Sequence, residues 1–374
     1  MDMSRKILFV VNNPAFFLSH RLPIALKAKE EGYEVAVATM PGQAVAQIVA
    51  HGLRHFVIPM SRSGMNPFAE LRTIYALYRL YRNYQPDLVH LVTIKPVLYG
   101  GIAARLARVK AVVYAISGLG FLFTRERKGI DWVRQITRQL YRLALGHRHS
   151  RVIVQNDNDR QILLDMGAMQ EAQAVKIRGS GVDVAVFATQ PEPLKPVVVT
   201  MAARLLKDKG VMEFVEAAGI SARHGRGIRW QLAGTPDPGN PASVTQAEVQ
   251  SWGPEVKVLG EVKDIARLYA QSHIVALPSY REGLPKSLVE AAACGRAVVT
   301  TDVPGCRDAI DIEQSGLLVP VRDAQKLYEA VARLAADDNL RLSMGNAGRI
   351  LALEEFDIRK VVDKHLAIYR ELLD

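Results

Sequence analysis

Two glutamates eight residues apart, Glu282 and Glu290, flank Gly283-Leu284-Pro285 in the stretch SYREGLPKSLVEAAACGRAVVTTDVPG. On one continuous helix that spacing would set them roughly 80° apart around the axis and about 12 Å apart along it, too far to close on one small atom. The local residues favour another geometry. Pro285 suits the first turn of a helix, where its missing N–H costs nothing. The run Lys286–Cys294 continues that helix, Gly295 ends it, and Ala297–Thr301 reads as a buried strand. Glu282 is then expected on the loop ahead of the helix and Glu290 inside it. Between them the helix N-terminus offers unpaired N–H groups and partial positive charge, which suit a phosphate. Two carboxylates flanking an anion site can hold two polyol ends of one ligand, such as a sugar and a ribose.

A second group of residues fits the same chemistry. In VVVTMAARLLKDKGV, the strand Val197–Met201 is followed by Arg204 and, five positions on, Lys209 and Gly210 before a helix. Two cations on a loop at the carboxyl end of a strand can neutralise a diphosphate and stabilise it as a leaving group. Taken singly, basic loop residues are more often solvated surface. Gly234, in LAGTPD, allows close backbone approach at another strand end. The run Leu259–Asp264, with Gly260 and Val262, repeats that arrangement and could receive a flat base.

These loops need elements to hold them. Apolar β-rich runs alternate with helical stretches along the chain. Strands are expected at Lys6–Val11, Glu34–Thr39, Asp87–Val92, Ala111–Ile116 and Arg151–Val154. The pattern restarts with Val197–Met201, Ile228–Ala233, Val256–Leu259, Ile274–Leu277 and Ala297–Thr301. Helices such as Leu22–Glu31 and Pro67–Tyr84 fall between strands. The alternation predicts an α/β protein with parallel sheets covered by helices. A chain of 374 residues is too long for one core. It predicts two doubly wound Rossmann-like domains, 1–186 and 187–374, facing each other across a cleft. The proline-rich Gln190–Pro196 reads as their linker, and a last helix at about 355–374 is expected to reach back to the first domain.

Bulk properties narrow the partners. The net charge of +10 is unevenly shared. Residues 1–190 hold 25 Lys and Arg against 13 Asp and Glu, a balance of +12, and the remainder hold 23 against 25, a balance of −2. A basic first half suits a phosphorylated substrate or an anionic membrane surface. Without zinc spacing or a nucleic-acid-reading motif, a nucleic-acid partner is not expected. No apolar run approaches the ~20 residues that span a bilayer, and residues 7–11 are too short a core for a signal peptide. The two cysteines, Cys294 and Cys306, form no disulfide framework or metal set, so a reduced, cytoplasmic protein is expected.

The order Arg204…Lys209, Gly234, Gly260, Glu282-x7-Glu290 resembles the retaining, nucleotide-sugar-dependent glycosyltransferases of family four, which have the GT-B fold. The resemblance spans nearly the whole chain. RGSGVDVAVF (Arg178–Phe187) is similar to the family's junction before the second domain, with Ser180 where Asn is usual. FFLSHRLPIAL and VHLVTIKPVLYGGIAARLA resemble the bacterial branch that builds capsule, exopolysaccharide or O-antigen repeats. The resemblance implies that Arg204 and Lys209 bind the donor diphosphate, Glu282 faces the transferred sugar and Glu290 holds the ribose. Gly283, Leu284 and Pro285 would line the donor beside Gly234 and Val262. It further implies no cofactor and no metal: the nucleotide sugar is a substrate, and the nearest approach to an Asp-x-Asp metal motif is Asp157-Asn158-Asp159. The implied donor is a UDP-N-acetylhexosamine, and the implied acceptor a lipid-linked saccharide.

On the acceptor side many relatives carry a histidine after a strand, where this chain has Ile116-Ser117-Gly118-Leu119-Gly120. Ser117 is one substitute, and Asn13, His20, His90 and Lys95 are the other candidates. His90, on an apolar strand, reads more readily as a structural histidine, and His147 and His149 read as surface. The cations Arg125, Arg127, Lys128, Arg134, Arg138, Arg142, Arg148 and Arg151, interleaved with apolar residues, are either an ordinary amphipathic helix or a surface resting on anionic lipid. A nucleotide-sugar 2-epimerase and a non-catalytic sugar-nucleotide-binding module are the alternative readings.

Overall fold

Thirteen strands, all paired in parallel, form two sheets in the described part of the computed structural model, which comprises residues 4–60, 66–119 and 131–374, the side chains of 131–134 excepted. The first sheet holds β1 (Lys6–Val11), β2 (Glu34–Thr39), β3 (Arg54–Val57), β4 (Leu88–Val92), β5 (Ala111–Ala115), β6 (Ser150–Val154) and β7 (Ala174–Lys176), in the order β3-β2-β1-β4-β5-β6-β7. The second holds β8 (Val198–Ala202), β9 (Arg229–Ala233), β10 (Val256–Gly260), β11 (Ile274–Leu277), β12 (Ala297–Thr301) and β13 (Gly316–Val319), in the order β10-β9-β8-β11-β12-β13. The central strands are buried on both faces, β4, β5 and β12 along their whole length. Helices cover such sheets on two sides, which is why these strands are continuous apolar runs rather than alternating ones.

The chain divides into two compact units, Met1–Ser180 with Arg359–Asp374, and Gly181–Ile358. The stretch Gln190–Pro196 lies inside the second unit, and side chains fasten it there. Arg296 donates to the Gln190 and Pro191 carbonyls, and the Arg341 guanidinium forks onto both oxygens of Glu192 at 2.9 and 2.7 Å. The chain passes from one unit to the other at 180/181 and returns at 358/359. Beside these passages Val182 and the Phe356–Ile358 segment exchange two backbone hydrogen bonds of 2.8 and 2.9 Å.

In each sheet the strand order reverses once, between β1 and β4 in the first unit and between β8 and β11 in the second. At such a point the loops leaving the carboxyl ends diverge and open a crevice. The loops after β8 and β11 carry Arg204, Lys209 and Glu282; those after β1 and β4 carry Asn13 and Lys95. Helix Ile358–Leu373, counted with the first unit from Arg359 onward, lays His365 and Tyr369 against the His90 ring.

Candidate active site

The two loops at the second switch point touch. Gly210 has φ +74°, and a Cβ there would drive into the carbonyl of Pro278, so only glycine lets the β8 loop pass under the β11 loop. The Asp208 carbonyl accepts the Tyr280 N–H at 2.9 Å and the Ser279 hydroxyl at 3.0 Å. With the backbones joined, the Lys209 ammonium donates to the Glu282 carboxylate, both groups being largely buried. From the β12 loop Gly305 supports this turn: at φ +82°, a Cβ there would lie 2.5 Å from the Glu282 carbonyl oxygen.

Arg204 is half exposed and pairs at 2.5 Å with Asp237, on the loop after β9. Gly234 donates its N–H to the Gly260 carbonyl at 2.7 Å, joining the β9 and β10 loops, with half-buried Val262 just beyond. Five consecutive strand-end loops are thus brought to one edge of the sheet. Two cations and one largely buried carboxylate stand at its switch point.

Glu290 lies in the second turn of helix Lys286–Ala293 and is buried. Burial pushes its carboxyl above the usual range, and the Lys286 ammonium, 3.4 Å away one turn back, opposes that rise. The two glutamates therefore have separate cation partners. Pro285 departs from expectation. It occupies the N-cap position with extended backbone (φ −72°, ψ 118°), so the first turn opens at Lys286 and the cap supplies no side-chain hydrogen bond to it. Gly283 and half-buried Leu284 complete the turn between the two carboxylates. Cys294 and Cys306 are both buried, and burial pushes each thiol up to about 12, leaving neither a nucleophile at neutral pH.

In the first unit the candidates separate. Asn13 caps helix Pro14–His20, its side-chain oxygen accepting from Ala15 and Phe16. His20, at the other end, stacks on Phe16 with centroids 4.0 Å apart and shares a 2.6 Å hydrogen bond with Ser19. Lys95 reaches Glu70 at 2.6 Å, just beyond β4. His90 is withdrawn as an acceptor group. It is wholly buried, bonded through Nδ1 to Tyr369 and packed between Phe9 and His365, and this apolar cage holds its imidazole neutral, far below the usual range. Ser117 follows β5, and its buried hydroxyl has no hydrogen-bond partner among the described residues. Thr93, which sequence reasoning missed, follows β4 with φ +73° and an equally unpartnered buried hydroxyl. A β-branched residue in that conformation is strained, but nothing in its sequence context announces it.

The basic segment is described only in part. Gly120, Arg125, Arg127 and Lys128 lie outside the described residues, as does the side chain of Arg134. Arg138 and Arg142 donate to the Met166 carbonyl at 3.1 and 2.6 Å, closing the helix that ends at Asp165, so each guanidinium is tied to the backbone there. His147 and His149 bond the carbonyls of Val109 and Leu372 rather than standing free in solvent. Asp157 pairs with Lys176, and Asp159 is buried against its cap Asn156, which accounts for that Asp-x-Asp spacing. Among the described residues no group of three or more His, Cys, Asp or Glu could hold a metal ion, and no helix is long and apolar enough to cross a membrane.

Two family descriptions match the chain: "Glycosyl transferase 4-like" over residues 6–156 and "Glycosyl transferases group 1" over residues 195–337. The chain belongs to the family four glycosyltransferases. It is a retaining glycosyltransferase with the GT-B fold, built from two parallel-sheet Rossmann-like units. Among relatives, the N,N'-diacetylbacillosaminyl-diphospho-undecaprenol alpha-1,3-N-acetylgalactosaminyltransferase of Campylobacter jejuni is 28% identical, covering 96% of this chain and 98% of that protein. A UDP-Gal:alpha-D-GlcNAc-diphosphoundecaprenol alpha-1,3-galactosyltransferase of Escherichia coli is 24% identical over 86% of this chain and 84% of that one. Among solved structures, HepE from Anabaena, in complex with UDP and glucose, superposes with a TM-score of 0.78 at 18% identity, covering 98% of this chain and 99% of that one.

Proposed function

We propose that this glycosyltransferase moves an N-acetylhexosamine from a UDP donor to a polyprenyl-diphosphate-linked saccharide during surface-polysaccharide assembly. It would work without a metal cofactor, at the inner face of the cytoplasmic membrane. The observation that carries the reading is the joined β8 and β11 loops, which set Lys209 on Glu282 with Arg204 nearby. The activities of the Campylobacter and Escherichia relatives, both acting on undecaprenyl-diphosphate saccharides, support the acceptor class.

The donor is bound by the second unit. Its diphosphate takes the place of carboxylates on Lys209 and Arg204, against the uncapped first turn of helix Lys286–Ala293. Buried Glu290 accepts from the ribose hydroxyls, and Glu282 orients the sugar. The acceptor hydroxyl attacks the anomeric carbon on the face the diphosphate leaves. The C–O bond to phosphate breaks as the new glycosidic bond forms, and the hydroxyl proton passes to the departing diphosphate oxygen. Lys209 and Arg204 take up the charge that develops there, the role a divalent ion has in other transferases.

The deciding experiment supplies UDP-N-acetylgalactosamine, UDP-N-acetylglucosamine or UDP-galactose with a polyprenyl-diphosphate-linked saccharide, in EDTA. The expected product is an extended lipid-linked saccharide with retained anomeric configuration. Interconversion of the donor without acceptor would indicate an epimerase, and nucleotide binding without turnover a non-catalytic module.

A further inference from the structure

We propose that the outward face of helix Pro67–Tyr84 docks the first unit on an anionic lipid surface, with Phe68, Leu71 and Tyr75 entering the headgroup layer and Arg72, Arg79 and Arg82 against its phosphates. The inference rests on the reading above only in placing a lipid-linked acceptor within reach.

The helix buries Thr73, Leu77, Tyr81 and Tyr84 against the sheet. At 100° per residue the six outward positions fall within an arc of about 100° on the opposite side. Phe68 is 83% exposed, Leu71 62% and Tyr75 60%, which is unusual for three large apolar side chains one turn apart. Arg72, Arg79 and Arg82 are exposed and make no hydrogen bond or ion pair with any described residue. The helix's one acid, Glu70, is turned aside onto Lys95 at 2.6 Å and is mostly buried. The face therefore presents three unpaired guanidinium groups and no carboxylate.

That combination selects the occupant. A second copy meeting this face across a two-fold axis would bring arginine against arginine. An anionic bilayer satisfies both halves, since its phosphates accept from guanidinium forks and its acyl boundary takes the rings and Leu71. The apolar residues occupy the first three turns and Arg79 and Arg82 the rest, so the N-terminal end dips deepest. That end lies at the carboxyl edge of the first sheet, because Glu70 in its first turn holds Lys95, just beyond β4. Docking thus brings the strand-end loops of the acceptor-binding unit to the membrane surface.

The test is flotation of the full-length protein with vesicles of phosphatidylcholine alone or with phosphatidylglycerol added. Wild type is expected to float with the anionic vesicles and to be released by salt. The variant R72E/R79E/R82E should lose about a hundredfold in partitioning. F68S/L71S/Y75S should float weakly, and both should melt with the wild type. Both should also glycosylate a short-chain, water-soluble acceptor normally while failing on the same saccharide embedded in vesicles. Undiminished flotation of either variant would overturn the proposal. So would a wild-type dimer dissolved by the arginine changes, or binding to mixed-sequence oligonucleotides in place of vesicles. If no donor is turned over yet the variants lose flotation, the assigned reaction fails and the docking face stands.

Discussion

At the scale of single residues, Lys209 and Glu290 should fail in different ways. Lys209 is held at the switch point by Glu282, where the proposed reaction would develop leaving-group charge. An interaction that strengthens in the transition state appears in kcat. Lys209→Met is therefore expected to lower kcat by about 100-fold or more, the usual cost of one lost electrostatic donor. Glu290 is buried on its helix and assigned to the ribose, a contact made equally in ground and transition states. Glu290→Gln should raise the donor KM severalfold and leave kcat nearly unchanged. Steady-state kinetics at saturating acceptor check both. An equal fall in kcat for the two variants would remove the division of labour. The site also shows what spacing can reveal. Lys286 stands four residues before Glu290, a pairing legible in the sequence. Asp237, which holds Arg204 from 33 residues away, carries no local signal.

At the scale of elements, what the sequence reveals follows burial. All ten expected strands are present, with ends shifted by at most one residue, because a strand covered on both faces is a continuous apolar run. The three that pattern-reading missed lie at sheet edges: β3 (RHFV), β7 (AVK) and β13 (GLLV), the first two lacking any fully buried residue. β3 and β7 are short and half-covered, so they lack the run that announces a central strand. The segment Gln190–Pro196 misleads for a related reason. Its prolines mark irregular backbone, but whether that backbone is free depends on Arg296 and Arg341, more than a hundred residues away. Arg341 is itself almost wholly buried, and its fork satisfies a largely buried Glu192. Arg341→Met should therefore cost about 3 kcal/mol, because it strands that carboxylate. Urea unfolding followed by tryptophan fluorescence would read this loss. Gly210→Ala should destabilise by about 1–3 kcal/mol through its left-handed backbone and the Pro278 carbonyl. Unlike Arg341→Met, it should also depress activity, since it parts the two loops that carry Lys209 and Glu282.

At the scale of the whole molecule, two distributions matter, that of charge and that of buried histidine. The basic balance of the first 190 residues falls almost wholly on the unit to which the acceptor and membrane surface are assigned, which takes residues 1–180 of them. That unit also encloses His90 and His365, wholly buried, stacked 5.6 Å apart and facing buried Arg21 and the Tyr369 hydroxyl. The Val361 carbonyl can only accept, so it fixes the His365 proton on Nδ1 and leaves Nε2 bare, without a donor. Burial, with Arg21 adding to it, holds the His365 imidazole down at about 3 and His90 well below its usual value. In the unfolded chain both titrate near 6.5, so below that pH the unfolded state binds protons that the native state refuses. Stability from this source is complete above about pH 6.5 and falls by about 1.4 kcal/mol per pH unit for each histidine, down to the folded pKa. Glu290, with its carboxyl raised, works in the opposite sense, but as one proton against two. Between pH 6 and 5 the histidines should therefore dominate. The urea midpoint should drop steadily across that interval, and His365→Phe should flatten the slope by about one proton's worth. A slope unchanged by the substitution would place the acid sensitivity elsewhere. The expected failure is specific: acid would loosen helix Ile358–Leu373 from β1 and β4, the strands at the first unit's switch point.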